Sequence, residues 1–173
     1  REQVGGRAFD LDACRFGRCG GVAGLGVLGV NGQKARGVTG SPSPTGDPFW
    51  IDYVAHEVGH QFGANHTFNS PNSGSNRSGS TAYEPGSAST IMSYAGLMGA
   101  DDLQLNSDPY FHAVSIVEAR NVMAARSSTG VVTATGNTSP SVDAGGTFTI
   151  PASTPFQLTA TGSDANGDPI TYD

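Results

Sequence analysis

The sequence predicts an α+β fold, and three stretches of the chain carry that prediction. Residues 20–30, GGVAGLGVLGV, alternate small and aliphatic residues without charge, which is typical of a strand closely approached by another backbone. Residues 47–63 carry apolar side chains at helical spacing. Residues from about 141 onward alternate like strands, at FTI and FQLTAT. A chain of 173 residues is long enough for one ordinary domain and part of another.

The first predicted helix begins with Asp47 as N-cap and Pro48 in the first turn, and it ends at Gly63. Glycine accepts the left-handed conformation that a C-terminal turn needs. One stripe of the helix is apolar and consists of Ile51, Val54, Ala55, Val58 and Phe62. We expect this stripe to pack on a core while the opposite side, with His56 and His60, lines a cleft.

A second helix is predicted to begin near Asp108 and Pro109 and to continue through FHAVSIVEARNVMAAR. Its predicted buried face consists of Phe111, Val114, Val117 and Val122. Between the two helices, residues 69–86 are polar and turn-forming, which predicts an irregular surface loop. Residues 90–96, TIMSYAG, form a short apolar turn.

The composition excludes some classes of protein and favours others. A net charge of −6 with nine Lys and Arg and no basic cluster argues against a nucleic-acid partner. No apolar run approaches the length that spans a bilayer. The 25 glycines and the many Ser, Thr and Asn residues indicate a loop-rich protein, and we expect it to be secreted. In an exported protein Cys14 and Cys19 would form a small-loop disulfide, and free thiols are the alternative.

The stretch HEVGHQFGANH, residues 56–66, contains three of the four histidines in the chain. Positions four apart share a helix face, so His56 and His60 project side by side and can reach one ion. Gly63 allows the sharp turn after which His66 can supply a third nitrogen. Zinc binds four ligands in a tetrahedral array, and a catalytic zinc keeps one position for water. Glu57 is positioned to hold that water rather than to ligate the metal.

This motif, followed by TIMSY at residues 90–94, resembles the metzincin zinc endopeptidases, and within that clan the bacterial reprolysin-like peptidases. The stretches FNS, YEPGSASTIMSYAG and SDPYFHAVSI are also similar, so the resemblance covers roughly residues 20–123. It implies zinc as cofactor, with His56, His60 and His66 as ligands. It implies Glu57 as catalytic base and Met92 as the Met-turn residue beneath the metal.

Two features depart from the closest pattern. Adamalysin-type relatives usually carry Asp directly after the third histidine, where this chain has Thr67. The turn resembles instead the astacin and serralysin form, which implies Tyr94 as an extra zinc ligand.

The edge strand of metzincins aligns an extended substrate, which implies substrate contacts at Gly24, Leu25 and Gly26, although a purely structural strand is the alternative.

The resemblance also predicts the domain organisation. Only 55 residues precede His56, so residues 1–126 are expected to be the C-terminal portion of a metzincin catalytic domain. Residues 127–140 form a linker, and residues 141–173 resemble the beginning of an Ig-like or polycystic-kidney-disease-type (PKD-like) β-sandwich. There, oxygen-bearing residues at alternate positions suit Ca²⁺, and a turn without an ion is the alternative. These residues are Asp164, Asn166 and Asp168.

The resemblance therefore implies a secreted zinc endopeptidase that acts on a protein or peptide substrate. The alternative is a catalytically inactive, zinc-containing adhesion or binding module in which the site persists without turnover. An intact Glu57 and an open fourth coordination position favour the enzyme.

Overall fold

The computed structural model describes residues 2–4, 7–9, 20–34 and 36–171, which fall into two compact units. The first unit ends at Val131 and the second begins at Val132. This division lies inside the segment 127–140, for which the sequence predicts a linker. Cys14 and Cys19 lie outside the described residues.

The strands of the first unit are short and form separate two-stranded sheets. They are β1 (Glu2–Val4) with β2 (Arg7–Phe9), and β3 (Gly20–Ala23) with β4 (Gly37–Gly40), both pairs antiparallel. The strand predicted for residues 20–30 is therefore correct only at its start. Gly26 and Gly29 have φ values of 63° and 68°, in the left-handed region that interrupts a strand.

Three helical segments follow one another in the chain: α1 (Asp47–Phe49), a π-helical segment (Trp50–Ala55) and α2 (His56–Gln61). Asp47 is the first helical residue and not the N-cap, because Gly46 occupies the cap position without a side-chain hydrogen bond. Gly63 follows the helix as the sequence predicts, with a φ of 97°, and its N–H donates to the carbonyl of His60 at 2.8 Å.

The predicted apolar stripe of this helix does not face one core. Ile51 and Ala55 pack against a buried cluster, but Val58 is 43% exposed. The buried cluster consists of Ala64, Ile91 and Met92. A π-helical turn holds more residues than an α-helical turn, so the apolar positions before His56 and those after it point in different directions.

The irregular surface loop predicted for residues 69–86 is wrong in part, because residues 68–101 contain regular secondary structure. They contain a parallel pair, β5 (Phe68–Asn69) and β6 (Glu84–Pro85), and two 3-10 segments, Pro71–Asn76 and Gly99–Asp101. Several polar side chains here are buried, namely Ser70, Ser73, Thr81 and Glu84. They can be buried because they are hydrogen-bonded, as where Ser70 Oγ donates to Asp101 Oδ2 at 2.7 Å.

The second long helix, α3 (Ala113–Ala125), begins later than the sequence predicts and is followed by a 3-10 turn, Ser127–Thr129. His112 Nδ1 accepts a hydrogen bond from Val114 N at 3.1 Å and caps α3, whereas Asp108 and Pro109 lie in the preceding turn. The predicted buried face is also wrong in part, since Val117 is 54% exposed and Ser115 is the buried residue of α3.

The second unit contains one antiparallel strand pair among its described residues, β7 (Ser141–Asp143) with β8 (Thr161–Ser163). The strands predicted at FTI and FQLTAT are absent, apart from Thr161, the first residue of β8. Phe148 and Phe156 are 62% and 61% exposed, because the described part of this unit has no second sheet on which they can pack.

Candidate metal centre

The three histidines of the motif converge on one point. His56 Nε2 and His60 Nε2 each lie 3.2 Å from His66 Nε2. The helix α2 holds His56 and His60 one turn apart, and the left-handed turn at Gly63 returns the chain so that His66 meets them. The convergence of the three histidine side chains that the sequence predicts is therefore present in the structure.

The backbone fixes the orientation of all three rings. Each Nδ1 lies within hydrogen-bond distance of a carbonyl oxygen, and the pairs are His56 with Ile91 at 2.8 Å, His60 with Ala64 at 2.7 Å and His66 with Asn76 at 2.7 Å. A carbonyl can only accept, so each Nδ1 carries the proton and each Nε2 presents a lone pair to the shared point. Sequence reasoning missed these three carbonyl groups, two of which, those of Asn76 and Ile91, lie outside the motif.

This donor set fits a zinc ion. Zinc–nitrogen bonds of about 2.0–2.1 Å in a tetrahedron place neighbouring nitrogens roughly 3.3–3.4 Å apart, close to the observed separations. Burial lowers the pKa of His56 well below 6.5, and the nearby His60 and His66 lower it further. Burial also lowers the pKa of His60, and burial followed by the charge of His60 lowers that of His66 to about 4. The neutral imidazoles that a metal requires are therefore the stable form.

Glu57 is buried beside this cluster with one oxygen unsatisfied. The residue is 7% exposed, and Oε2 has no hydrogen-bond partner among the described residues. Burial raises the pKa of Glu57 to about 7. A carboxyl group whose pKa lies near neutrality, with one oxygen free, can both take up and release a proton.

Gly21 on β3 belongs to this site, although the sequence analysis assigned it no role. A Cβ atom at Gly21 would overlap the carboxyl group of Glu57. The only indication of this close contact in the sequence was the pair of glycines, Gly20 and Gly21, at the start of the strand.

The turn that follows the loop contacts the histidine cluster, because His56 Nδ1 lies 2.8 Å from the carbonyl of Ile91. Met92 is fully buried, and a Cβ on Gly59 would come 2.6 Å from its Sδ. The Tyr94 ring lies near two of the histidines, with centroid distances of 5.8 Å to His56 and 4.7 Å to His66. The structure thus places the ring of Tyr94 beside the histidines and places Met92 in the buried cluster with Ala64 and Ile91.

Two depressions meet at Glu57. One has a volume of about 440 Å³ and extends along the π-helical segment towards residues 93–107, and the other, of about 670 Å³, extends past His60 and His66. Gly24 and Leu25 line the second depression, but in the turn after β3 rather than within a strand. Gly26 donates its N–H to the carbonyl of His60 at 2.9 Å and so ties this turn to α2.

The sequence profile of the family described as Metallo-peptidase family M12B Reprolysin-like matches residues 11–123. This chain is a member of the M12B reprolysin-like family. Membership implies a zinc-dependent peptide hydrolase and agrees with the three-histidine cluster. No curated protein and no solved structure matches the chain.

Thr67 of this reprolysin-like chain links the third histidine to the turn beneath it. Thr67 is fully buried, its N–H donates to the carbonyl of Met92 at 3.2 Å, and its own carbonyl accepts from Glu84 N at 3.0 Å. A backbone hydrogen bond therefore joins Thr67 to the Met-turn. Thr67 is the position at which adamalysin-type relatives carry Asp.

The residues considered for calcium in this M12B chain stabilise a turn. Asp164 Oδ1 accepts from the N–H groups of Asn166 at 2.8 Å and Asp168 at 3.1 Å, and Asn166 Oδ1 accepts from Thr138 N at 2.7 Å. These hydrogen bonds give no support for a calcium ion there. Among the described residues, no helix has both the length and the apolar character needed to cross a membrane.

Proposed function

We propose that this chain is a secreted zinc-dependent endopeptidase in which Glu57 is the general base. The observation that carries the proposal is the convergence of three Nε2 lone pairs in depressions that Glu57 also lines. Membership of the M12B family supports the same reaction class.

Three histidine Nε2 atoms would hold the zinc ion, which when bound polarises the scissile carbonyl group and acidifies water. The Glu57 carboxylate would accept the proton of the attacking water and then deliver it to the leaving amine. Burial of Glu57 suits both steps, because its raised pKa of about 7 lets the group hold a proton in one step and give it up in the next.

Among the described residues, β3 pairs only with β4, and its other edge is the surface on which an extended substrate would lie. Gly24 N donates to Arg36 O at 2.7 Å, in register with the pairs Ala23–Gly37 and Val22–Val38. Hydrogen-bonded pairs alternate along antiparallel strands, so the backbone groups of Gly21 and Ala23 point away from β4. Those groups can pair with a substrate backbone directly beside Glu57.

Two assignments taken from the resemblance remain part of this proposal. Tyr94 is proposed as an extra zinc ligand because its ring lies 4.7 Å from that of His66. Gly24, Leu25 and Gly26 are proposed to contact the substrate where it leaves β3, because the first two line the wider depression.

The test compares the zinc-loaded chain with its Glu57→Ala variant in a casein or gelatin cleavage assay. We expect the wild type to cleave, phenanthroline to suppress cleavage and zinc to restore it. The variant should retain one zinc and lose at least about 100-fold in rate, since it lacks the proton acceptor. Substantial residual activity in a metal-replete variant would contradict the role of Glu57.

An inactive zinc-containing adhesion module gives a different result in the same assay. In that case each wild-type chain binds one zinc ion but cleaves no protein. Secretion is tested separately, by expressing the natural gene in its own host and measuring phenanthroline-sensitive cleavage in the medium and in the cell lysate. Activity confined to the lysate would contradict secretion.

A further inference from the structure

The depression of about 440 Å³ beside Glu57 contains a second carboxylate, that of Asp52. Asp52 precedes His56 by four residues and Glu57 by five in the same run of helical segments. Asp52 lies in the π-helical segment, where residues five apart are about one turn apart, so about one turn separates it from Glu57. No role in the proposed hydrolysis uses this carboxylate.

The lining of this depression lacks a compensating positive charge. Asp52 and Glu57 line it, and no described lysine or arginine does. His56 also lines it, but its Nδ1 faces the carbonyl of Ile91 at 2.8 Å and its Nε2 faces the histidine cluster, so this imidazole presents no charge to the depression. An ion held by the histidines would act at the Glu57 end, one turn away from Asp52.

The carboxylate of Asp52 is half-buried and only partly satisfied by the protein. Asp52 Oδ1 accepts from Ser107 N at 2.7 Å. Burial raises the pKa of Asp52, hydrogen bonds from Ser107 oppose that rise, and no cation among the described residues contributes. A cation supplied by a ligand would therefore find a partly desolvated carboxylate without a competing ion pair.

The other walls suit a long, flat cationic side chain. The rings of Phe49 and Tyr53 line the depression and stack with centroids 6.1 Å apart, and such rings attract a guanidinium or ammonium group. Leu97 and Leu105 are 70% and 81% exposed at the same depression, so they can cover the methylene stem of Lys or Arg.

We propose that this depression is a specificity pocket for an arginine or lysine side chain of the substrate, next to the scissile bond, and that Asp52 is its recognition residue. This inference rests on the proposed peptidase function and adds the substrate class. A stem of three or four methylenes spans about one helical turn, which is the distance from the reacting groups to Asp52. Arginine is the better fit because its planar group can also stack on the aromatic walls.

The test uses matched peptides that differ only at one position beside the cleaved bond, with arginine or its neutral isostere citrulline. Mass spectrometry identifies the cleaved bond, and kcat/KM is measured for each peptide. We expect the zinc-loaded wild type to prefer the arginine peptide by about 10- to 100-fold, the usual range for a hydrogen bond to a charged group.

Two variants locate the source of this preference. Asp52→Asn keeps the acceptor for Ser107 N but removes the charge, so the arginine-to-citrulline ratio should fall to about one. Asp47→Asn removes the same charge from an exposed position in the neighbouring segment that does not line the depression, so the ratio should stay at the wild-type value. Circular dichroism and zinc content establish that both variants are folded.

Each outcome decides a separate claim. If the wild type cleaves the arginine and citrulline peptides with nearly equal kcat/KM, the specificity pocket is overturned and the peptidase function is unaffected. This outcome is decided by the wild type alone. A ratio that survives Asp52→Asn overturns the role of Asp52. If the wild type cleaves neither peptide nor casein, the peptidase function fails. The ratio of dissociation constants for the two peptides, from fluorescence anisotropy, then decides whether the pocket binds the cation.

Discussion

The carboxyl group of Glu57 packs against the backbone of Gly21 so closely that the strand has no room for a side chain at that position. Gly21 thereby sets how near the free edge of β3 lies to the proposed base. The position of a general base relative to the reacting atoms has a large effect on rate, and a displacement of about 1 Å can cost about 100-fold.

Gly21→Ala is therefore expected to displace Glu57 and to lower kcat/KM by about 10- to 100-fold while the zinc content stays at one. Gly20→Ala is the matched control, because no atom lies within 4 Å of the position that its Cβ would occupy. Casein cleavage and metal analysis of both variants measure the effect. Equal activity in the two variants would show that the close contact does not matter for catalysis.

Glu84 links β6 to the turn beneath the histidines. Its carboxylate accepts from Thr90 Oγ1 at 2.6 Å and from the N–H groups of Ser89 at 3.1 Å and Thr90 at 3.2 Å, and the residue is 8% exposed. Burial alone raises the pKa of Glu84, but the hydrogen bonds together outweigh it and leave the pKa below its ordinary value of 4.5.

The lowered pKa makes the contribution of Glu84 depend on pH with a definite sign. Ionised Glu84 stabilises the fold above pH 4.5, and that stabilisation is lost as the pH falls through the folded-state pKa. Glu84→Gln should therefore lower the free energy of unfolding by about 1–2 kcal/mol at pH 7 and by less at pH 3. Urea unfolding of both metal-free proteins at the two pH values measures this, and an equal difference at both would contradict it.

Glu118 on α3 holds the residue that precedes the third histidine. Its two carboxylate oxygens accept from Asn65 N at 2.9 Å and Asn65 Nδ2 at 2.6 Å. Glu118→Ala should loosen the turn that carries His66 and weaken zinc binding by about 10-fold, as expected when a group that supports a metal ligand is removed. Asn121→Ala, at an exposed position on the same helix, is the control. Zinc titration with a competing chelator compares them, and unchanged affinity in Glu118→Ala would exclude the supporting role.

The metal cluster could be predicted from the sequence because the residues that form it are close together in the chain. His56, His60 and His66 lie within 11 residues, and one helix turn followed by a left-handed glycine determines their convergence. The partners of these residues are not local. The carbonyl of Ile91 lies 35 residues from His56 in the chain, and the contact of Gly21 with Glu57 depends on how β3 packs, so neither follows from spacing.

The errors in the predicted helices also have physical causes. Spacing of three and four residues assumes an α-helix, so the π-helical segment Trp50–Ala55 moves Val58 away from the core that holds Ile51. The start of α3 was misplaced because Asp108 and Pro109 match the usual cap pattern, whereas the structure uses an imidazole nitrogen of His112 as the cap.

Zinc binding to the metal-free chain, measured by isothermal titration calorimetry, tests the central claim most directly. We expect one zinc per chain, with affinity falling at least about 100-fold in His60→Ala, since a three-nitrogen site loses one ligand. His112→Ala is the matched control, because His112 caps α3 and stacks on Tyr83 at 5.8 Å outside the cluster, so its zinc affinity should remain at the wild-type value. A wild-type chain that binds no zinc, or a His60→Ala variant that binds it as tightly, would contradict the account.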